Sequence, residues 1–319
     1  MSPAEQRGCQ APHFLRAAER RPWILTALDS TIRPGPHLPL AIRAAGWMGG
    51  SLASFVLMSV AARQLAGRVP TIEILMWRSI VALCVLLALA PIIGREGYRT
   101  KQPGLQIVRN AIHFCGQYLW VWAIALAPLA VVTAVEFTTP MWVAALAALV
   151  LGERIGLHRW VAIAAGLAGI ALIVRPGPGT LGPATLVPLG AALGFAGSTL
   201  CVKALLRTDR VPAVVFHMCL IQLPLGLVPS LFVWVWPAAR DVPALVAMGV
   251  TALSAHFCLG RALSLADASF VLPLDFLRLP LIAAVGLALY GEPIDAWTVA
   301  GAALIVAGNY WSVRRETRR

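Results

Sequence analysis

From residue 42 onward, apolar stretches of about 20 residues follow one another with only short polar interruptions. They cover 42–62, 72–93, 105–126, 129–151, 157–174, 183–205, 213–236, 243–264, 268–290 and 295–313. A helix needs about 20 apolar residues to cross the hydrocarbon core of a bilayer. A backbone in lipid must satisfy its own hydrogen bonds, so each stretch predicts a transmembrane helix. Barrel strands would be about ten residues long and would alternate polar with apolar positions, which these stretches do not. The pattern predicts an all-α polytopic membrane protein with about ten transmembrane helices. Residues 1–41 break it: they are rich in Arg, Pro and His and include RPGPHLPL. Their apolar patch at Trp23–Leu28 is too short to span, and no signal-peptide core or cleavage site accompanies it. This segment reads as a cytoplasmic, disordered extension, and residues 314–319 as a basic cytoplasmic tail.

Composition agrees with the pattern: 59% of residues are hydrophobic and 13% charged, with a mean hydropathy of +0.78. No soluble shell remains to cover so much apolar chain. The net charge of +12 would suggest nucleic acid in a soluble protein, but the basic residues fall between the apolar stretches and at the ends, and no nucleic-acid motif is present. Arg95, Arg99, Lys101, Arg154, Arg159, Arg207 and Arg210 lie in alternate loops on the side of both termini. Arg63, Arg68, Arg175 and Arg240 lie opposite. The bias predicts both termini in the cytoplasm and a multi-pass protein of the inner (plasma) membrane. Six scattered cysteines, with no CxxC pair, read as small apolar side chains, so neither a metal site nor a cofactor is expected.

The two halves repeat. LGERI at 151–155 recurs as YGEPI at 290–294, and the spacing of 139 residues from Glu153 to Glu292 also aligns Glu136 with Asp275 and Phe137 with Phe276. The units are 42–175 and 183–313. Five helices per unit is an odd number, so the second copy enters the membrane inverted. Arg154 and Arg159 after the first Gly-Glu, against Glu292 and Asp295 in the second, agree with opposite sides. Inverted repeats are an architecture of secondary transporters, whose substrate site lies near the midplane between the copies.

The stretch VVTAVEFTTPMWVAALAALVLGERIGLHRWVAIAAGLAGIALIV and its second copy SFVLPLDFLRLPLIAAVGLALYGEPIDAWTVAGAALIVAGN resemble two EamA domains of the drug/metabolite transporter superfamily, as does MWRSIVAL in the second helix. The resemblance covers about residues 42–313. It implies an inner-membrane carrier that works by alternating access around a central cavity, moving a small organic molecule. Export of an amino acid or related metabolite is the leading expectation. Import of a vitamin or nucleoside-like cofactor is the alternative, and a non-transporting scaffold or sensor is the reading from another class. No HExxH, GxSxG or catalytic His/Asp spacing points to an enzyme.

Ionisable groups inside apolar helices cost about 2.5–3.5 kcal/mol on insertion scales and normally face protein or water. The candidates are Arg78, His113, Glu136, His217, His256, Asp275 and Arg278, joined by Gln117, Tyr118 and Trp122. Asp275 and Arg278, three residues apart, share a helix face. They read as an internal ion pair or as a cavity site for a charged substrate group or a coupling proton, with Arg278 the anion clamp. Glu136 holds the matching place in the first repeat and either pairs with Arg78 or lines the same cavity. Thr139 stands opposite Arg278, so the arginine is an asymmetry between the repeats. The histidines and Gln117 read as interhelical hydrogen-bonders or as cavity lining. Tyr118 and Trp122 share a face and would either stack on a planar substrate or sit in an interfacial belt. Glu153 and Glu292 are expected to cap helix starts. The rows Ala164/Ala168 and Ala303/Ala307 would permit close helix contact, within the chain or at a homodimer seam.

Overall fold

A computed structural model of the chain describes residues 40–151, 157–175, 182–266, 271 and 274–316. The described residues are helical and contain no strand. In the first repeat the helices are α1 (Leu40–Leu65), α2 (Thr71–Ala88), α3 (Pro103–Leu126), α4 (Leu129–Glu136), α5 (Thr139–Leu151) and α6 (Leu157–Val174). In the second they are α7 (Pro183–Leu205), α8 (Val211–Ser230), α9 (Val242–Leu265), α10 (Arg278–Tyr290) and α11 (Ala296–Glu316). Most of the expected N-terminal extension, Glu153 with Arg154, and the start of the ninth apolar stretch lie outside the described residues. The chain is still helical at Glu316, inside the segment expected as a tail.

Proline places several of the breaks. The second apolar stretch ends its main helix at Ala88 and resumes as a short turn, Ala90–Ile93, because Pro91 has no N–H to continue the ladder. Six described segments are long and apolar enough to cross a membrane, one of them Leu129–Ala147, which runs through the break between α4 and α5. The 24-residue α3 is not among them, because Gln106, Arg109, Asn110, His113 and Gln117 form a buried polar stripe along it. Apolar side chains such as Leu57, Leu87, Leu149 and Leu289 are more than half exposed, the reverse of a soluble protein and the arrangement lipid requires.

The two repeats pack reciprocally. α1 lies on α9 and α3 on α7, so the first helix of each repeat meets the third of the other; α2 meets α8, and α6 meets α11. Leu65, Leu75, Ile124 and Met248 fill the core between α1, α2, α3 and α9. The α6–α11 seam is made by Gly169 and Gly301: a Cβ on either would lie 2.6 or 2.5 Å from the other's carbonyl oxygen. The expected rows Ala164/Ala168 and Ala303/Ala307 do not make this contact within the chain, since all four alanines are exposed. Each helix turns its glycine inward and these alanines outward.

Connections are tied across the repeats at both ends of the bundle. Between α7 and α8, buried Asp209 accepts the Lys101 N–H at 2.8 Å, the Gln106 amide at 3.0 Å and the Thr100 hydroxyl. Burial alone would raise this carboxyl, but the hydrogen bonds from Lys101, Thr100, Gln106 and Thr208 hold it below its usual value of 3.8. A depressed folded-state value means that the stabilisation is fully present above about pH 4 and is lost as pH falls through the folded value. Asp209→Asn is therefore expected to lower the unfolding temperature in detergent by a constant amount from pH 5 to 8. The gap to wild type should narrow only in stronger acid, and a gap that already closes near pH 6 would contradict the assignment.

Candidate functional site

The two helices that carry the matched carboxylates are both broken where those carboxylates stand. In the first repeat α4 ends at Glu136, Phe137 and Thr138 form a turn, and α5 begins at Thr139. Pro140 has no N–H to offer the Glu136 carbonyl, which instead accepts the Thr139 hydroxyl at 2.6 Å. The freed Phe137 carbonyl accepts the Asn309 side-chain amide from α11 at 2.6 Å. In the second repeat Asp275 precedes a turn at Phe276–Leu277, and α10 starts at Arg278. Pro280 plays the part of Pro140, and the Phe276 carbonyl is reached by the Leu279 N–H at 3.2 Å. Irregular backbone at membrane depth persists only where protein or a water-filled cavity satisfies it.

Both breaks open on one cavity of about 840 Å³ between the repeats. Arg278 is its most connected side chain. Its guanidinium donates to Glu136 at 3.0 Å and, more loosely, to Asp275 at 3.4 Å. Its central carbon lies 4.6 Å from the Phe55 ring centre and 4.8 Å from that of Phe137, a cation held between two π faces. Glu136 also accepts the Trp120 indole N–H at 3.0 Å. Two carboxylates against one guanidinium leave one formal negative charge that a proton or a cationic group can balance.

A second polar group lines the cavity on α2 and α3. Arg78 donates to Gln117 at 2.6 Å, and the Gln117 amide meets His113 Nε2 at 2.8 Å. His113 Nδ1 has no partner among the described residues. One further turn toward the start of α3, Arg109 donates to Asn110 at 2.6 Å. The histidines are placed reciprocally: His113 of α3 lies tilted against Phe195 of α7 at 5.5 Å, and His256 of α9 meets Phe55 of α1 edge-on at 5.9 Å.

Seven of the ten sequence candidates therefore meet in one cavity: Arg78, His113, Gln117, Glu136, His256, Asp275 and Arg278. Glu136 takes Arg278, not Arg78, as its partner. Tyr118 and Trp122 stand apart from the cavity, 36% and 40% exposed and facing each other at 6.3 Å. The cavity face of α3 is Arg109, His113, Gln117 and Trp120; one residue along a helix turns the side chain by about 100°, which carries Tyr118 and Trp122 to the lipid side. His217 is also elsewhere, bonded to the Ala213 carbonyl one turn back in its own helix. Sequence reasoning passed over Arg109, preferred Tyr118 and Trp122 to their neighbour Trp120, and passed over Phe195. The signal for Arg109 and Trp120 was the polar stripe on α3 that runs at helical spacing from Arg109.

The cavity runs along α3 from Val121 to Arg109 and along α7 to Lys203, toward the end of the bundle where Asp209 lies. At the opposite end Glu292, 9% exposed, ties the two repeats together. One of its oxygens pairs with Arg63 of α1 and the other accepts the Leu129 N–H at 2.7 Å. Glu292 does cap a helix start, as expected, but it is the start of α4 in the other repeat. Arg63 reaches the Ile124 carbonyl as well. Gly286 leaves room for this clasp: a Cβ there would lie 2.6 Å from the Glu292 carboxylate. Gly286→Ala should cost about 1–3 kcal/mol by overpacking, read as a lowered unfolding temperature in detergent. An unchanged temperature would mean that the carboxylate is not confined.

The model of the EamA-like transporter family matches residues 43–175 and again 183–314. The chain is 30% identical over 290 residues to a riboflavin transporter of Vibrio cholerae, covering 89% of this chain and 96% of that protein. It is 24% identical over 272 residues to an S-adenosylmethionine uptake transporter of Rickettsia prowazekii, covering 85% and 92%. It is 27% identical over 255 residues to a pseudopaline exporter of Pseudomonas aeruginosa, covering 79% and 89%.

Proposed function

We propose that this chain, which belongs to the EamA-like transporter family, is an uptake carrier for a vitamin or cofactor-like small molecule. It is a multi-pass membrane transporter and not an enzyme. The observation that carries the site is the meeting of both helix breaks in one cavity between the repeats, where alternating access exposes a fixed site to each side in turn. The names of the similar proteins favour import of a vitamin or cofactor over the amino-acid export expected first. The cavity wall suits such a molecule: Phe55, Trp120, Phe137 and Phe195 offer aromatic surface to a planar ring system.

With both termini in the cytoplasm, as the basic loops indicate, the Glu292 clasp lies outside and the cavity opens inward. The surplus carboxylate of the Glu136–Asp275–Arg278 group is then the coupling site, carrying a proton inward together with the substrate and giving it up to the cytoplasm. The test is uptake of labelled riboflavin and S-adenosylmethionine into proteoliposomes, with and without an imposed pH gradient. Uptake of either supports the reading. Retention of both outside, by protein that melts cooperatively, would overturn it.

A further inference from the structure

Two guanidiniums on the cavity wall have no anion among the described residues. Arg78 is 5% and Arg109 7% exposed, and both line the cavity. Among the described residues neither has a carboxylate within ion-pair distance, whereas Arg278 has two. Their partners are the neutral amides of Gln117 and Asn110, and the Arg109 Nε–H has no partner among the described residues. A buried cation without a counter-charge is costly, and proteins normally pair it. Arg109 and Arg78 are brought to one wall by α3 and α2, with His113 beside them also offering a ring nitrogen without a partner among the described residues. Lys203 adds a further positive charge at the same end of the cavity. The cavity is thus divided: one net negative group at the helix breaks, and a cationic wall toward the start of α3.

We propose that Arg78 and Arg109 form an anion subsite, so that the molecule carried presents a carboxylate or phosphate to them while its ring system lies toward Trp120 and Phe137. A guanidinium fork suits either group, each oxygen taking a charge-assisted hydrogen bond. The inference rests on the carrier reading above and narrows its substrate class: riboflavin itself is uncharged, whereas its 5′-phosphate and S-adenosylmethionine carry the required anion.

The test compares matched ligands on the full chain in lipid nanodiscs: riboflavin against riboflavin 5′-phosphate, and the methyl ester of S-adenosylmethionine against S-adenosylmethionine. The member of at least one pair that carries the free phosphate or carboxylate should bind about tenfold or more tightly, the size expected of a gained charge-assisted hydrogen bond. Preference in the first pair identifies a phosphate site, and preference in the second a carboxylate site. Arg78→Gln and Arg109→Gln should each remove the preference by weakening the member that carries the free anion, and Arg109→Lys should restore part of it. Equal binding within both pairs, or a preference that survives both glutamine variants, would overturn the subsite. Failure of the carrier reading is separate: it shows as absent uptake in proteoliposomes while the anion preference in nanodiscs persists.

Discussion

Arg278→Ala is expected to abolish transport and to lower stability by about 3–5 kcal/mol, because it leaves two cavity carboxylates facing each other without a cation. Arg278 holds Glu136 from the first repeat and Asp275 from its own, with ring faces from α1 and from the first helix break on either side. It is the side chain through which both broken helices meet, so its loss frees each break from the other. Arg278→Lys keeps the charge but not the planar fork, and should retain stability better than transport. The double variant Glu136→Gln/Arg278→Gln separates the two effects. With the charge balance restored it should melt closer to wild type than Arg278→Ala does, yet remain inactive. Uptake into proteoliposomes and thermal unfolding in detergent are the two readouts. Wild-type uptake by a folded Arg278→Ala protein would remove this residue from the site.

Glu292→Ala carries the next largest effect, about 3 kcal/mol of stability, at the low end for a broken buried pair because Arg63 keeps some contact with solvent. The substitution strands Arg63 and leaves the first N–H of α4 without its acceptor. Glu292→Gln keeps an oxygen for that N–H and should cost less. Because the clasp joins the repeats at one end of the cavity, loosening it should also open that end. A cysteine placed at Ala127, which is 6% exposed, should react with an impermeant thiol reagent several times faster in the Glu292→Gln background than in its absence. Equal labelling rates would show that Glu292 only stabilises and does not close the cavity.

How far the chain could be read in advance differs from residue to residue. Glu136 and Asp275 were legible as a pair because a carboxylate in an apolar helix is conspicuous and the repeat aligned the two. That they stand at breaks follows from Pro140 and Pro280, which were equally visible. Arg278 was legible as an asymmetry, but its shorter contact is with Glu136, 142 residues away, and no spacing rule reaches across repeats. On α3 the polar residues were visible one by one, yet Tyr118 and Trp122 were preferred to Trp120, and Arg109 was passed over.

By itself the sequence determined that the chain is a bundle of membrane helices built from two inverted copies, since hydropathy and repetition are properties of the chain read in order. Only the tertiary structure decided which face of each helix turns inward, and with it the membership of the cavity. The reason is physical: in lipid, both the outward face and the packed face of a helix are apolar, so the contrast that reveals the inner face of a soluble helix is weak. The choice then falls to close fits such as Gly169 against Gly301, and to polar groups such as Arg278 and Glu292 that find partners only when the second repeat arrives.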